Sequence, residues 1–400
     1  MQAINVYQDT PIGVKSKEQF RMALAERDMR NLKGPALFLS RKRVRENLRA
    51  LSSALPEVEL HYAVKSNDHP ALLTVILEAG HKFDVCSALE IHHCLEAGAT
   101  TADLLHTHPI KSFSEIEQAL KSGVRTFVID NSDEIAKFRS PEFRALKRRF
   151  PGEIALIVRY RALDPSALSE IVQCNLSHKF GCAVSAIKEL VTEIIDAGLT
   201  FGGLAFHVGS QCLSPEPYLT GINIASDIIT ALDAERITTP LLDIGGGFPV
   251  EYLEPIAPIG EFCAPICAAL ASLVPNNVRL VCEPGRYISA SAVTALVNII
   301  GRAERDGVTW YYADDGVYGS FSGRIYDHCA YRALTDRNSA WVPSVLAGPT
   351  CDSIDVIYDT ILLPPLEVGD TLVFPSMGAY CAVSASGFNS LQQAQVIVVD

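Results

Sequence analysis

The feature that most constrains the fold is an alternation of short apolar runs with longer amphipathic ones, sustained from about residue 57 to about residue 285. The short runs read as strands: Val58–Val64, Phe83–Cys86, Leu104–Thr107, Thr126–Ile129, Ile154–Tyr160, Gly203–Val208, Leu241–Ile244 and Arg279–Cys282. Between them, helical spacing runs over Pro70–Ala79, Leu89–Ala97, Phe113–Ser122, Asp133–Phe138, Ala186–Ala197, Tyr218–Leu232 and Pro258–Leu273. Several of these stop at a glycine (Gly80, Gly98, Gly123, Gly198), the residue a helix C-terminus favours. Eight strands alternating with helices over roughly 230 residues have the length and rhythm of a (β/α)8, TIM-like barrel. An open doubly wound sheet is the competing arrangement. The barrel is preferred because suggestive residues follow many strands rather than one central crevice.

After residue 286 the rhythm changes. Val293–Ile300, Trp310–Ala313, Ser344–Leu346, Asp355–Asp359, Thr371–Phe374 and Ala394–Val399 read as strands without long helices between them. Asp306-Gly307, Pro364-Pro365 and Gly369-Asp370 supply turns. The expected organisation is an α/β barrel over 35–286 and a mostly β domain, sandwich- or barrel-like, over 287–400 joined by 1–34.

Composition narrows the function. The chain has 34 lysines and arginines against 46 aspartates and glutamates, a formal net charge of −12. Such a surface repels nucleic acid and anionic membranes and suits a cationic small molecule better. No run reaches the ~18 apolar residues of a membrane helix. The first residues show no basic segment followed by an apolar one, so a cytoplasmic protein is expected. Eleven cysteines include no Cys-x-x-Cys pair, and Cys263 and Cys267 lie on an apolar helical pattern without companion ligands. Reduced thiols and no metal site are expected.

The chemistry starts at Lys65, where the strand ending Tyr62-Ala63-Val64 meets the rim that carries catalysis in such barrels. It reads either as a solvated rim residue or as a lysine that bonds covalently to a carbonyl. Gly245-Gly246-Gly247 follows a strand and can bring backbone N–H groups against a phosphate, although glycines also make ordinary turns. Glu283-Pro284-Gly285-Arg286 follows the last strand with a carboxylate, a tight turn and a cation. A lysine, a phosphate cradle and a carboxylate at one rim suggest pyridoxal 5′-phosphate, PLP.

The sequence also resembles the fold-type III PLP-dependent amino-acid decarboxylases, most of all the ornithine decarboxylases. The resemblance runs from about residue 35 to the C-terminus. It is carried by Ala63-Val64-Lys65-Ser66-Asn67, Phe83-Asp84-Val85-Cys86-Ser87, Phe206-His207-Val208-Gly209-Ser210, the triple glycine and Glu283-Pro284-Gly285-Arg286. Asp315-Gly316-Val317-Tyr318-Gly319-Ser320-Phe321, Tyr326-Asp327-His328, Gly348-Pro349-Thr350-Cys351-Asp352-Ser353 and Met377-Gly378-Ala379-Tyr380 continue it.

The resemblance implies an alanine racemase-like fold and a role for each residue. Lys65 would hold PLP covalently. Gly245, Gly246, Gly247, Gly285, Ser210, Arg286 and Tyr380 would surround its phosphate. Glu283 would pair with the ring nitrogen, and His207 would stack on the ring unless it is an ordinary core histidine. Asp84, Glu90 and Arg159 would complete the polar surround. Cys351 would reprotonate Cα, its alternative being a buried structural thiol. Asp352 and Asp327 would receive a distal ammonium, beside Tyr318 and Phe388. The implied reaction is decarboxylation of L-ornithine to putrescine. Lysine, both substrates or a related diamino acid are alternatives, since one methylene is worth only about 1–3 kcal/mol in a pocket. An inactive regulatory homologue belongs to a different class. A racemase is disfavoured, because racemases of this fold typically carry arginine where Glu283 stands. The resemblance further implies a two-fold homodimer with shared sites, in which Lys179 and Asp355 are candidate cross-subunit partners.

Overall fold

Parallel pairing closes the alternating part of the chain into a barrel. The computed structural model describes residues 34–162, 172–174, 179–337 and 339–400. After β1 (Ala36–Ser40), which belongs to the second unit, come β2 (Glu59–Ala63), β3 (Lys82–Val85), β4 (Leu104–His106), β5 (Thr126–Ile129) and β6 (Ala155–Arg159). β7 (Val172–Cys174) and β9 (Ser210–Cys212) pair with each other, while β8 (Thr200–Ala205), β10 (Leu241–Asp243) and β11 (Arg279–Cys282) complete the closed ring β10-β11-β2-β3-β4-β5-β6-β8. These eight are the strands expected from the sequence, and closure excludes the open sheet.

The ring is filled from within. Leu105, Val128, Ile157, Ala205, Leu241 and Val281, one from each of six strands, form a buried apolar cluster. Each of the five larger side chains contributes about 1.5–3 kcal/mol. At the start of β2, Glu59 is held at about 2 by His61, helped by Lys82 and Arg279. The charges at the N-terminal strand ends thus pair among themselves, and the chemistry gathers at the opposite rim. Side chains fix where the outer helices begin: Ser87, Ser112, Asn131 and Ser140 accept backbone N–H groups at 3.0–3.2 Å. The last of these caps a helix over Pro141–Arg149 that apolar spacing does not announce, because only Phe143 and Leu146 of it are buried.

β8 starts earlier than expected. The strand expected at Gly203–Val208 runs instead over Thr200–Ala205, with Gly202 and Gly203 inside it. At Gly203 (φ 125°) a Cβ would sit 2.3 Å from the Leu241 carbonyl, so only glycine permits this approach. The strand therefore ends at Ala205, and His207 lies in the loop beyond it.

The second unit comprises residues 34–44, 250–255 and 289–400, the first being Arg45–Pro249 with Ile256–Ile288. Its sheet runs β15-β14-β13-β12-β1-β17, with β16 also paired to β12. The strands are β12 (Val293–Arg305), β13 (Val308–Ala313), β14 (Val342–Ala347), β15 (Val356–Leu363), β16 (Thr371–Phe374) and β17 (Gln395–Val399). The Asp306-Gly307 turn joins β12 to β13 with Arg305 opposite Val308. Ala36, Phe38 and Leu296 pack under Ile397 and Val399. Residues 1–33, expected to join this domain, lie outside the described residues. Among the described residues no helix is long and apolar enough to cross a membrane.

Candidate active site

Two clusters carry the expected residues, one in each unit. At the barrel rim, Lys65 occupies a single helical turn, Val64–Ser66, directly after β2. Parallel pairing sets Ala63 beside Asp84 at the end of β3. Lys65 Nζ donates to Asp84 Oδ2 at 2.6 Å and lies 3.7 Å from Cys86 Sγ. Asp84 has no solvent exposure, and the Thr107 hydroxyl donates to its other oxygen. The carboxylate is thus fixed from both sides and directs the amine. Glu90, in the first turn of the following helix, accepts the Cys86 N–H at 2.6 Å. Burial, aided by the Asp84 charge, raises its carboxyl to about 7.

The glycine run bends sharply against its neighbours. A Cβ at Gly245 (φ 70°) would lie 2.5 Å from the Phe206 carbonyl, and one at Gly247 (φ 106°) 2.3 Å from the Gly209 carbonyl. The Cys212 N–H donates to the Gly247 carbonyl, tying β9 to this turn. Ser210, at the start of β9, accepts from Arg286 Nε at 3.3 Å and Nη2 at 3.0 Å. A tight glycine turn, a hydroxyl and a guanidinium therefore adjoin one another, and Gly285 precedes that arginine.

His207 is partly exposed, and its Nδ1 accepts the Gly209 N–H at 2.9 Å. Burial and the nearby Arg159 and Lys65 charges push its basicity well below the ordinary range, so the ring is neutral with its proton on Nε2. Glu283 donates its N–H to the Gly245 carbonyl at 2.9 Å. Burial and Asp84 raise its carboxyl, opposed by Lys65 and Arg159. Arg159 ends β6, its guanidinium 5.5 Å from the Phe180 ring centre. A lysine at a strand end, a glycine cradle with hydroxyl and guanidinium, and a buried carboxylate fit PLP's aldehyde, phosphate and ring nitrogen respectively.

The second cluster is built on loops of the other unit. Cys351 is exposed, which removes the reading of a buried structural thiol. Its N–H donates to Asn389 Oδ1 at 3.1 Å, and Asn389 Nδ2 donates to its Sγ at 3.4 Å. Asp352 Oδ2 accepts the Tyr318 hydroxyl at 2.6 Å, a bond that holds the carboxylate below its ordinary range. The same bond pushes the Tyr318 phenol up to about 12. Tyr318 stacks on Phe388 at 4.4 Å between ring centres. Asp355 is buried, with its oxygens accepting the Val317 and Thr350 N–H groups at 2.8 and 2.9 Å. It braces the Cys351 loop from within. Asp327 ends the short turn Gly323–Tyr326, and the Tyr380 carbonyl accepts from Ser322 at 3.3 Å. Lys179 is exposed, 5.1 Å from the Phe180 ring centre.

Motif reading missed Thr107, Asp243 and Asn389. Asp243 carried a signal, an acidic residue closing an apolar strand before the glycines. Asn389 carried none, since its role rests on a contact 38 residues away.

Comparison with known proteins identifies the family. Residues 41–290 match the family model "Pyridoxal-dependent decarboxylase, pyridoxal binding domain". A lysine/ornithine decarboxylase of Selenomonas ruminantium is 33% identical over 92% of this chain and 90% of its own. Mouse ornithine decarboxylase is 33% identical over 89% of this chain and 78% of its own. The solved lysine/ornithine decarboxylase of Vibrio vulnificus, complexed with putrescine, superposes with a TM-score of 0.86 at 38% identity, covering 97% of this chain and 99% of that one. The likeness to ornithine decarboxylases alone is therefore too narrow, because lysine/ornithine decarboxylases match at least as well. The chain belongs to the pyridoxal-dependent decarboxylase family of fold type III and is a PLP-dependent carboxy-lyase.

Proposed function

We propose that the chain decarboxylates a basic diamino acid and accepts both lysine and ornithine, giving cadaverine and putrescine with CO2. The observation that carries this reading is the Asp352 carboxylate, kept ionised by the Tyr318 hydroxyl at 2.6 Å. It is an anion oriented for a distal ammonium, next to the aromatic wall of Tyr318 and Phe388. Asp327 would add a second carboxylate. The wall grips methylenes without counting them, and the difference between the two substrates is one methylene, about 1–3 kcal/mol.

Bound PLP supplies the electron sink for the pair left at Cα when CO2 departs. Lys65 attaches it, with Asp84 orienting the amine. Gly245, Gly246, Gly247, Gly285, Ser210, Arg286 and Tyr380 bind the phosphate. Glu283 pairs with the ring nitrogen, and its negative charge keeps that nitrogen protonated. His207, neutral, stacks on the ring, and Arg159 completes the surround. Cys351 returns a proton to Cα. Glu283 supports decarboxylation over racemisation. Lys65, Asp84, Cys351 and Asp352 together argue against an inactive homologue. The working unit is a cytoplasmic two-fold homodimer, in which the Cys351 loop of one subunit completes the Lys65 rim of its partner.

The test is CO2 release from ornithine, lysine, arginine and diaminopimelate, with wild type and Asp352→Ala. Wild type should use ornithine and lysine with kcat/KM within about 200-fold of each other. Asp352→Ala should lose about tenfold or more on both, and less on an uncharged amino acid of similar length. Preference for diaminopimelate, or equal losses on charged and uncharged substrates, would contradict this reading.

A further inference from the structure

Asp243 closes β10 inside the barrel and has no solvent exposure. Its Oδ1 accepts the Gly245 N–H at 2.8 Å. Among the described residues no N–H or hydroxyl donor reaches its Oδ2. The pairing of β10 with β11 sets Asp243 beside Val281, so Glu283, two residues further and directly after β11, projects from the same face, and the two carboxyl groups act on each other. Ionised carboxylates are acceptors only, so neither can satisfy the other's buried oxygen unless one of them holds a proton. Two bare carboxylates facing each other in a dry interior would repel strongly.

We propose that Asp243 and Glu283 share a single proton, carried by Asp243 and donated to Glu283, which makes Asp243 the positioning residue of the cofactor-facing carboxylate. This rests on the reading of Glu283 as the partner of the ring nitrogen.

The surroundings decide which partner holds the proton. Asp243 is deepest, and burial drives its carboxyl well above the ordinary range, reinforced by Glu283 and Asp84. Burial and the Asp84 charge raise the Glu283 carboxyl as well, but there the Lys65 and Arg159 charges oppose the shift, and among the described residues Asp243 has no such cation acting on it. The Cys282 thiol, neutral by burial, adds no charge. A donated bond from Asp243 then lowers the proton affinity of Glu283 and fixes its orientation. Glu283 is delivered to the site as an anion, not as a neutral acid that could not keep a ring nitrogen protonated.

The deciding measurements, stability and infrared spectra, use the chain without cofactor or substrate, so their outcome is separate from that of the decarboxylase reading. Asp243→Asn keeps both bonds, its carbonyl accepting from Gly245 and its amide donating to Glu283. Wild type takes up a proton when it folds above the unfolded carboxyl pKa, and the Asn variant does not. The folding constant of Asp243→Asn relative to wild type should therefore rise with pH, by about tenfold per unit, up to the native pKa of Asp243. In infrared spectra at about pH 8, above the value near 6 to which burial raises Asp315, wild type should show the carbonyl stretch of a protonated acid. That band should move on 13C-carboxyl labelling of aspartate and vanish in Asp243→Asn. Asp243→Asn should also retain PLP affinity that Asp243→Ala loses by about tenfold or more. A relative stability that is flat or falls with pH, or no aspartic acid band, would overturn the proposal. If the Asn variant does not fold, the labelled wild-type spectrum decides alone.

Discussion

The Asn389 side chain brackets Cys351, accepting its N–H at 3.1 Å and donating to its Sγ at 3.4 Å. Asn389 (φ 55°) and Ser390 (φ 54°) both lie in the left-handed region, which asparagine tolerates better than most residues. The strained turn and the two bonds together hold the thiol on an otherwise exposed loop.

Replacing Asn389 with Ala removes both bonds without touching the barrel. Turnover should fall by about tenfold, with the thermal midpoint of the apoprotein nearly unchanged. Asn389→Asp should be worse, because an anion facing the sulfur repels the thiolate. Alkylation of Cys351 by iodoacetamide, located by mass spectrometry, should then be slower than in wild type. Unchanged turnover and labelling in both variants would make the bracket incidental.

Glu90 gives a pH dependence of known sign. Its carboxyl is raised from 4.5 to about 7 in the folded chain, so it contributes most below the unfolded value, and that contribution is lost as pH rises through about 7. Glu90→Gln can still accept the Cys86 N–H and does not titrate. Its stability relative to wild type should climb between about pH 4.5 and 7, by up to about 3 kcal/mol, then level off. Thermal melts of the two apoproteins across that range measure it, and a constant difference would contradict the assignment.

Shared sites make a countable prediction. Mixing inactive Lys65→Ala with inactive Cys351→Ala protein should restore activity once subunits exchange. Random exchange makes half the dimers mixed, each with one intact site, so roughly a quarter of wild-type activity returns. Mixed dimers verified with differently tagged chains but lacking activity would place all catalytic groups within one chain.

The barrel was legible because most of its strands are unbroken apolar runs bounded by glycine stops, as at Gly80, Gly98 and Gly123. Legibility failed where local signals mislead. The start of β8 at Thr200 was hidden because Gly202 and Gly203 bring no side chain to an apolar run, although Gly203 serves a close approach to Leu241. The helix Pro141–Arg149 is so polar that only Phe143 and Leu146 mark its buried face. β1, only five residues long, gains its meaning from β12 and β17 far along the chain. In the site, residues in contiguous motifs could be read, such as Lys65, Glu283 and Cys351. Residues that orient them across strands or loops could not: Thr107 on Asp84, Asp243 on Glu283, Asn389 on Cys351. Their significance is a distance, and distances between remote segments are not written in spacing.

The central claim is that Lys65, 2.6 Å from the Asp84 carboxylate, is the point at which this barrel holds PLP. Borohydride reduction of the yellow holoprotein fixes the cofactor to whichever lysine bears it, and peptide mass mapping then locates it. The account predicts the pyridoxyl group on Lys65, with Lys65→Ala folded but colourless and unlabelled. Labelling of a different lysine, or a Lys65→Ala protein that keeps its colour and its turnover, would contradict it.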